Sequence, residues 1–180
     1  MRPPVLLATH DRERLLSDLT LPFDPGALVP GDGAWEVEIG FGKGRYLLRR
    51  ALAEPRTRLL GIELAGEYFR LLVTRARRRG VRNLLAIRGE AQTLLAAVLP
   101  RGFARAVHVY FPDPWPKTRH HRRRLLNAPF LRLLATRMKP GARLSIATEQ
   151  DRCICRNALM MAATQQSMNR FTKMFALQIP

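Results

Sequence analysis

From Ala34 to Ala147 short apolar runs alternate with amphipathic stretches, and few folds accommodate that alternation. The runs Ala34–Ile39, Arg58–Leu64, Asn83–Arg88, Ala104–Phe111 and Arg143–Ala147 have strand length. Between them, Arg45–Glu54, Gly66–Arg79, Ala91–Leu99 and Leu125–Met138 read as helices. Pro55, Gly80 and Pro100 close the first three, and a turn at Lys139-Pro140-Gly141 follows the fourth. Strand and helix in strict succession predict an α/β fold, a parallel sheet with helices on both faces. Such sheets hold ligands beyond the carboxyl ends of their strands. Gly40–Gly44, Glu63, Glu90, Asp113 and Glu149 all fall at those ends.

The rest of the chain frames this core. Its 180 residues suit one domain of ordinary size. Residues 1–33 carry five prolines and read as an N-terminal arm, residues 34–150 as the core. Residues 151–180 read as a divergent or shortened end, a helix and one edge strand within Phe171–Ile179. The hydrophobic share is 47%, yet no apolar run approaches the length of a membrane span. Asp11 and Glu13 follow the short apolar stretch Val5–Ala8, so no targeting segment is expected and the cytoplasm is the expected compartment. Cys153 and Cys155 lack the companions a zinc site needs, and no metal is expected. The expected state is a monomer or a weak homodimer.

Charge departs from the ordinary. Thirty-one Lys and Arg against fourteen Asp and Glu leave a net +17. That excess points to a polyanionic partner bound through phosphates, with affinity that falls as salt rises. A GC-rich genome also favours arginine, so charge alone supports nucleic acid only moderately.

The first motif is Glu38-Ile39-Gly40-Phe41-Gly42-Lys43-Gly44. Glycines between a strand and a helix let a cofactor approach the backbone. The dinucleotide fingerprint reads G-x-G-x-x-G, whereas this one reads E-x-G-x-G-x-G. A carboxylate two residues before the first glycine suits the amino group of S-adenosylmethionine better than a pyrophosphate. Glu63, at the end of the second strand, is placed to accept ribose hydroxyls. Glu90, after the third, can receive the adenine amino group.

The second motif runs from Tyr110 to Arg124 and holds Phe111-Pro112-Asp113-Pro114-Trp115-Pro116-Lys117. Three prolines stiffen this loop and fix Asp113 near the place where the cofactor's methyl group should point. Lys117, Arg119 and Arg122–Arg124 form a dense cationic segment suited to phosphate. His108 reads as a strand residue with no part in catalysis.

From Trp35 to Thr148 the sequence resembles the bacterial tRNA (guanine-N7)-methyltransferase family. Glu38-x-Gly40, Gly61-Ile62-Glu63, Gly89-Glu90-Ala91 and Pro112-Asp113-Pro114-Trp115 match that family's motifs in order. The resemblance implies a class I S-adenosylmethionine-dependent methyltransferase, a Rossmann-like sheet whose C-terminal strands are incomplete here. It implies cofactor binding by Glu38, Gly40, Gly42, Gly44, Glu63, Glu90 and Asp113, with Asp113 also catalytic. It implies a guanine in the tRNA variable loop as substrate, held by Lys117, Arg119, Arg122 and Glu149. The chain departs from the family in having Glu90 and Glu149 where aspartate is usual, and in lacking a Thr-x-x-Glu motif near its end. A tRNA-binding relative without turnover is therefore the second reading. An amino-methyltransferase would need Pro-Pro and an aromatic after its Asp, which Pro114-Trp115 does not supply. A nicotinamide enzyme fits the glycine spacing and Glu38 poorly.

Overall fold

A computed structural model describes residues 25–29, 31–110 and 125–147, together with the backbone of residues 174–178. A single helical turn, α1 (Pro25–Leu28), precedes β1 (Trp35–Ile39). Then follow α2 (Arg45–Ala53), β2 (Arg58–Glu63), α3 (Gly66–Arg78), β3 (Leu84–Arg88), α4 (Ala91–Ala97) and β4 (Ala104–Tyr110). The last elements are α5 (Ala128–Arg137), β5 (Met138–Ala147) and β6 (Met174–Gln178).

The six strands form one sheet in the order β3-β2-β1-β4-β5-β6. The first five run parallel, and β6 lies antiparallel against β5 within the segment read as an edge strand. The chain winds outward through β1, β2 and β3, then crosses back to place β4 beside β1. That reversal is a topological switch point, and sheets of this kind bind ligands in the crevice outside the carboxyl ends of the strands there.

Alternation along the strands builds two apolar layers. Val37, Ile39, Leu60, Ile62, Val107 and Ile146 pack against Leu94 and Leu95 of α4 and Phe130, Leu131 and Leu134 of α5. On the opposite face, Leu59 and Leu84 pack with Leu47, Leu48, Phe69, Leu72 and Val73 of α2 and α3. Burying each of these large side chains contributes about 1.5–3 kcal/mol. All five residues of β1 are buried, including Glu36 and Glu38.

Two boundaries differ from the sequence expectation by three residues or more. Helix α5 starts at Ala128 rather than Leu125, because Asn127 caps it: its side-chain oxygen accepts the Phe130 N–H at 2.9 Å. The expected turn at residues 139–141 lies inside β5. Met138 pairs with Ala104, then Arg143 pairs with Ala106, so the extra residues bulge out of the ladder. Gly141, at φ 73°, supplies the left-handed residue of that bulge.

Candidate active site

The glycine turn after β1 rests on backbone geometry that few residues other than glycine adopt. Gly40, Gly42 and Gly44 have φ of 69°, 50° and 66°. A Cβ on Gly44 would also come within 2.6 Å of Leu72 Cδ1, so the turn lies tight on α3. Gly40 N–H donates to the Ile62 carbonyl at 2.8 Å, and Gly44 N–H to that of Phe41 at 2.8 Å. Arg75 reaches from α3 to donate to the Lys43 carbonyl at 3.1 Å.

Glu63 braces this turn from the end of β2. One carboxylate oxygen accepts the Gly42 N–H and the other the Ala65 N–H, both at 2.8 Å. Each oxygen keeps a second lone pair for a ligand hydroxyl. Leu64, the next residue, is 58% exposed, a large apolar side chain beside the crevice that the sequence reading passed over.

Glu38 is different in kind. It is only 4% exposed, and its Oε2 has no hydrogen-bond partner among the described residues. Burial pushes its carboxyl up to about 8; a backbone hydrogen bond from Leu47 works against the shift, and the charge of Glu63 adds to it. A buried acid with a free oxygen, at the end of the central strand, is a site prepared for a cation. The α-amino group of an amino acid cofactor has the matching charge and donors, so the residues present fit S-adenosylmethionine.

Glu90 caps α4. Its oxygens accept the N–H groups of Gln92 at 2.9 Å and Thr93 at 2.7 Å, and the Thr93 hydroxyl at 2.6 Å. The third acid thus shapes the backbone after β3. The structure gathers Glu38, Gly40, Gly42, Gly44, Glu63 and Glu90 at neighbouring strand ends. Asp113, Lys117, Arg119, Arg122 and Glu149 lie outside the described residues. Among the described residues, no group of three or more His, Cys, Asp or Glu is placed to hold a metal ion, and no helix is long and apolar enough to cross a membrane.

Sequence reasoning missed a second polar group on the same sheet face. Glu36, His108, Tyr46 and Tyr110 join in one network, with Arg50 and Arg105 on Glu36. The available signal was the pair of glutamates at alternate positions of an otherwise apolar strand.

A family model described as "Putative methyltransferase" matches residues 33–178. The chain belongs to this methyltransferase family. It is 39% identical over 140 residues to a tRNA (guanine-N(7)-)-methyltransferase of Deinococcus radiodurans, covering 76% of this chain and 43% of that protein. It is 42% identical over 130 residues to the enzyme of the same name from Nitrosococcus oceani, covering 72% and 55%. The chain spans about half the length of these curated relatives. Among solved structures, TrmN from Thermus thermophilus matches with a TM-score of 0.59 at 19% identity, over 73% of this chain and 38% of that one. The antibiotic-resistance methyltransferase Kmr matches with a TM-score of 0.53 at 25% identity, over 92% and 77%. These likenesses establish the methyltransferase fold.

Proposed function

We propose that this chain transfers a methyl group from S-adenosylmethionine to N7 of a guanine in the tRNA variable loop, in the cytoplasm. The observation that carries the reading is the buried, unpartnered Glu38 oxygen beside the left-handed glycine turn. The names of the relatives supply the substrate, and the net charge of +17 suits a polyanion.

Glu38 would hold the cofactor's amino group, Glu63 its ribose hydroxyls and Glu90 its adenine amino group. Leu64 offers an apolar surface to the purine ring. When bound, S-adenosylmethionine supplies an electrophilic methyl group on a sulfonium. Guanine N7 carries an in-plane lone pair and no proton, so the protein needs no general base. Its work is orientation and electrostatics. Methylation leaves positive charge on the guanine, and Asp113 is assigned to stabilise it. Glu149 is assigned to the N1–H and amino donors of the base. Lys117, Arg119 and Arg122 are assigned to phosphates, where arginine grips with a planar fork.

The test is methyl transfer from labelled cofactor to unmodified tRNA, with the product cleaved at 7-methylguanine. The expected result is modification at a variable-loop guanine, lost in Asp113→Asn with the fold unchanged. Transfer undiminished in that variant removes Asp113 from the chemistry. Cofactor and tRNA bound without any transfer would favour the second reading, a relative that binds without turnover.

A further inference from the structure

His108 is 2% exposed in the middle of β4, flanked in sequence by the buried valines Val107 and Val109. A strand position that served packing alone would carry an aliphatic side chain, because burying an imidazole costs free energy unless both nitrogens are satisfied. Here both are. Tyr46 Oη lies 3.0 Å from Nε2 and Tyr110 Oη 3.0 Å from Nδ1. A tyrosine hydroxyl can donate or accept, so each of the two can match the ring nitrogen it faces. The aromatic rings pack as well, with Tyr46 and Tyr110 edge to face at 5.2 Å.

The base of this arrangement is fixed. Glu36 Oε2 stands 3.7 Å from His108 Nε2. Arg50 donates to both Glu36 oxygens at 2.9 and 2.8 Å, and Arg105 adds a contact at 2.8 Å. Held by two guanidinium groups, Glu36 confines the imidazole beside it.

The two tyrosines belong to elements on either side of the point where the strand order reverses. Tyr46 sits in the first turn of α2, two residues after the glycine turn. Tyr110 ends β4 and is followed directly by Phe111-Pro112-Asp113. His108 pairs in register with Glu38 across β1. We propose that His108 is a positioning residue: through the hydroxyls of Tyr46 and Tyr110 it ties the first turn of α2, and with it the glycine turn, to the carboxyl end of β4. This rests on the methyltransferase reading above and deepens it.

The experiment compares Tyr46→Phe, Tyr110→Phe and the double variant, each of which keeps its ring. Amide hydrogen exchange is read on the full chain saturated with S-adenosylhomocysteine. The expected result is that Tyr110→Phe speeds exchange threefold or more in residues 45–48 of α2 as well as in β4. Tyr46→Phe should do the converse, and the double variant should add little. Changes confined to each tyrosine's own element, or effects that multiply, would overturn the proposal. In parallel, kcat for tRNA should fall tenfold or more while KM for the cofactor stays within threefold; an unchanged kcat would also overturn it. Should the wild-type chain transfer no methyl group to tRNA, the functional reading fails, and the exchange data still decide whether His108 couples the two sides.

Discussion

Glu36 and Glu38 stand two residues apart on one face of β1, both buried, and their surroundings push them in opposite directions. For Glu36, burial raises the carboxyl, but the adjacent His108 ring and the hydrogen bonds from Arg50 and Arg105 outweigh it and hold the group well below the usual carboxylate range. Glu38 has no such cation, and burial raises it to about 8. The first carboxylate is neutralised by the protein itself; the second awaits a ligand.

Glu38→Gln should therefore stabilise the free protein and abolish cofactor binding. A folded-state value of about 8 against an ordinary 4.5 means that stability declines as pH rises between those values. Relief of that penalty at pH 7 is on the order of 3 kcal/mol. Thermal unfolding at pH 5 and pH 8 checks it: the variant's advantage should be small at pH 5 and grow by pH 8. An equal advantage at both values would mean that Glu38 ionises normally.

Glu36→Gln should do the reverse. Removing the charge takes the counter-ion from Arg105 and leaves Arg50 only the exposed Glu54 at 3.6 Å, at a cost of roughly 2 kcal/mol, below the range for fully buried pairs because both guanidinium groups reach solvent. A depressed carboxyl contributes stability that is complete above its ordinary value of 4.5 and is lost as pH falls below it. Denaturant unfolding should show a gap between wild type and variant at pH 7 that narrows toward pH 3. A constant gap would assign the loss to packing.

Glu63→Gln tests the brace on the glycine turn. Glutamine has one acceptor oxygen, and its amide nitrogen would face the N–H of Gly42 or Ala65, so one of those bonds is lost. The expected cost is about 1–3 kcal/mol of stability, with S-adenosylhomocysteine affinity reduced tenfold or more. Calorimetry reads both, and wild-type affinity in the variant would show that the turn holds its shape unaided.

The alternation of strands and helices was legible because each buried strand is a short apolar run closed by Gly, Pro or an acid. The acids at the strand ends were legible for the same reason, since a carboxylate ending an apolar run needs an explanation. The role of Glu90 as a helix cap was not, because Asp and Glu at such a position serve a backbone or a ligand equally well until the Gln92 and Thr93 amides are located. The His108 network was hidden for a different reason. Its members come from β1, α2 and β4, and no local pattern records that Tyr46 and His108, 62 residues apart, share a hydrogen bond. The bulge at Gly141 has the sequence pattern of a turn, since a left-handed glycine after proline serves either purpose.

Cofactor binding should release a proton. At pH 7, a carboxyl with a value of about 8 is mostly protonated in the free protein. An ammonium group placed against Glu38 Oε2 favours the ionised form, so the proton leaves as the ligand enters. Binding of S-adenosylhomocysteine should then tighten as pH rises, by up to about tenfold per unit between pH 6 and 7, and level off near pH 8. Titration calorimetry in two buffers of different ionisation heat measures the release directly, expected to approach one proton at pH 7. Glu38→Asp keeps the charge and should retain release with weaker binding. No release from the wild-type chain would mean that Glu38 is already ionised before the ligand arrives, and that the free oxygen at the end of β1 has another occupant.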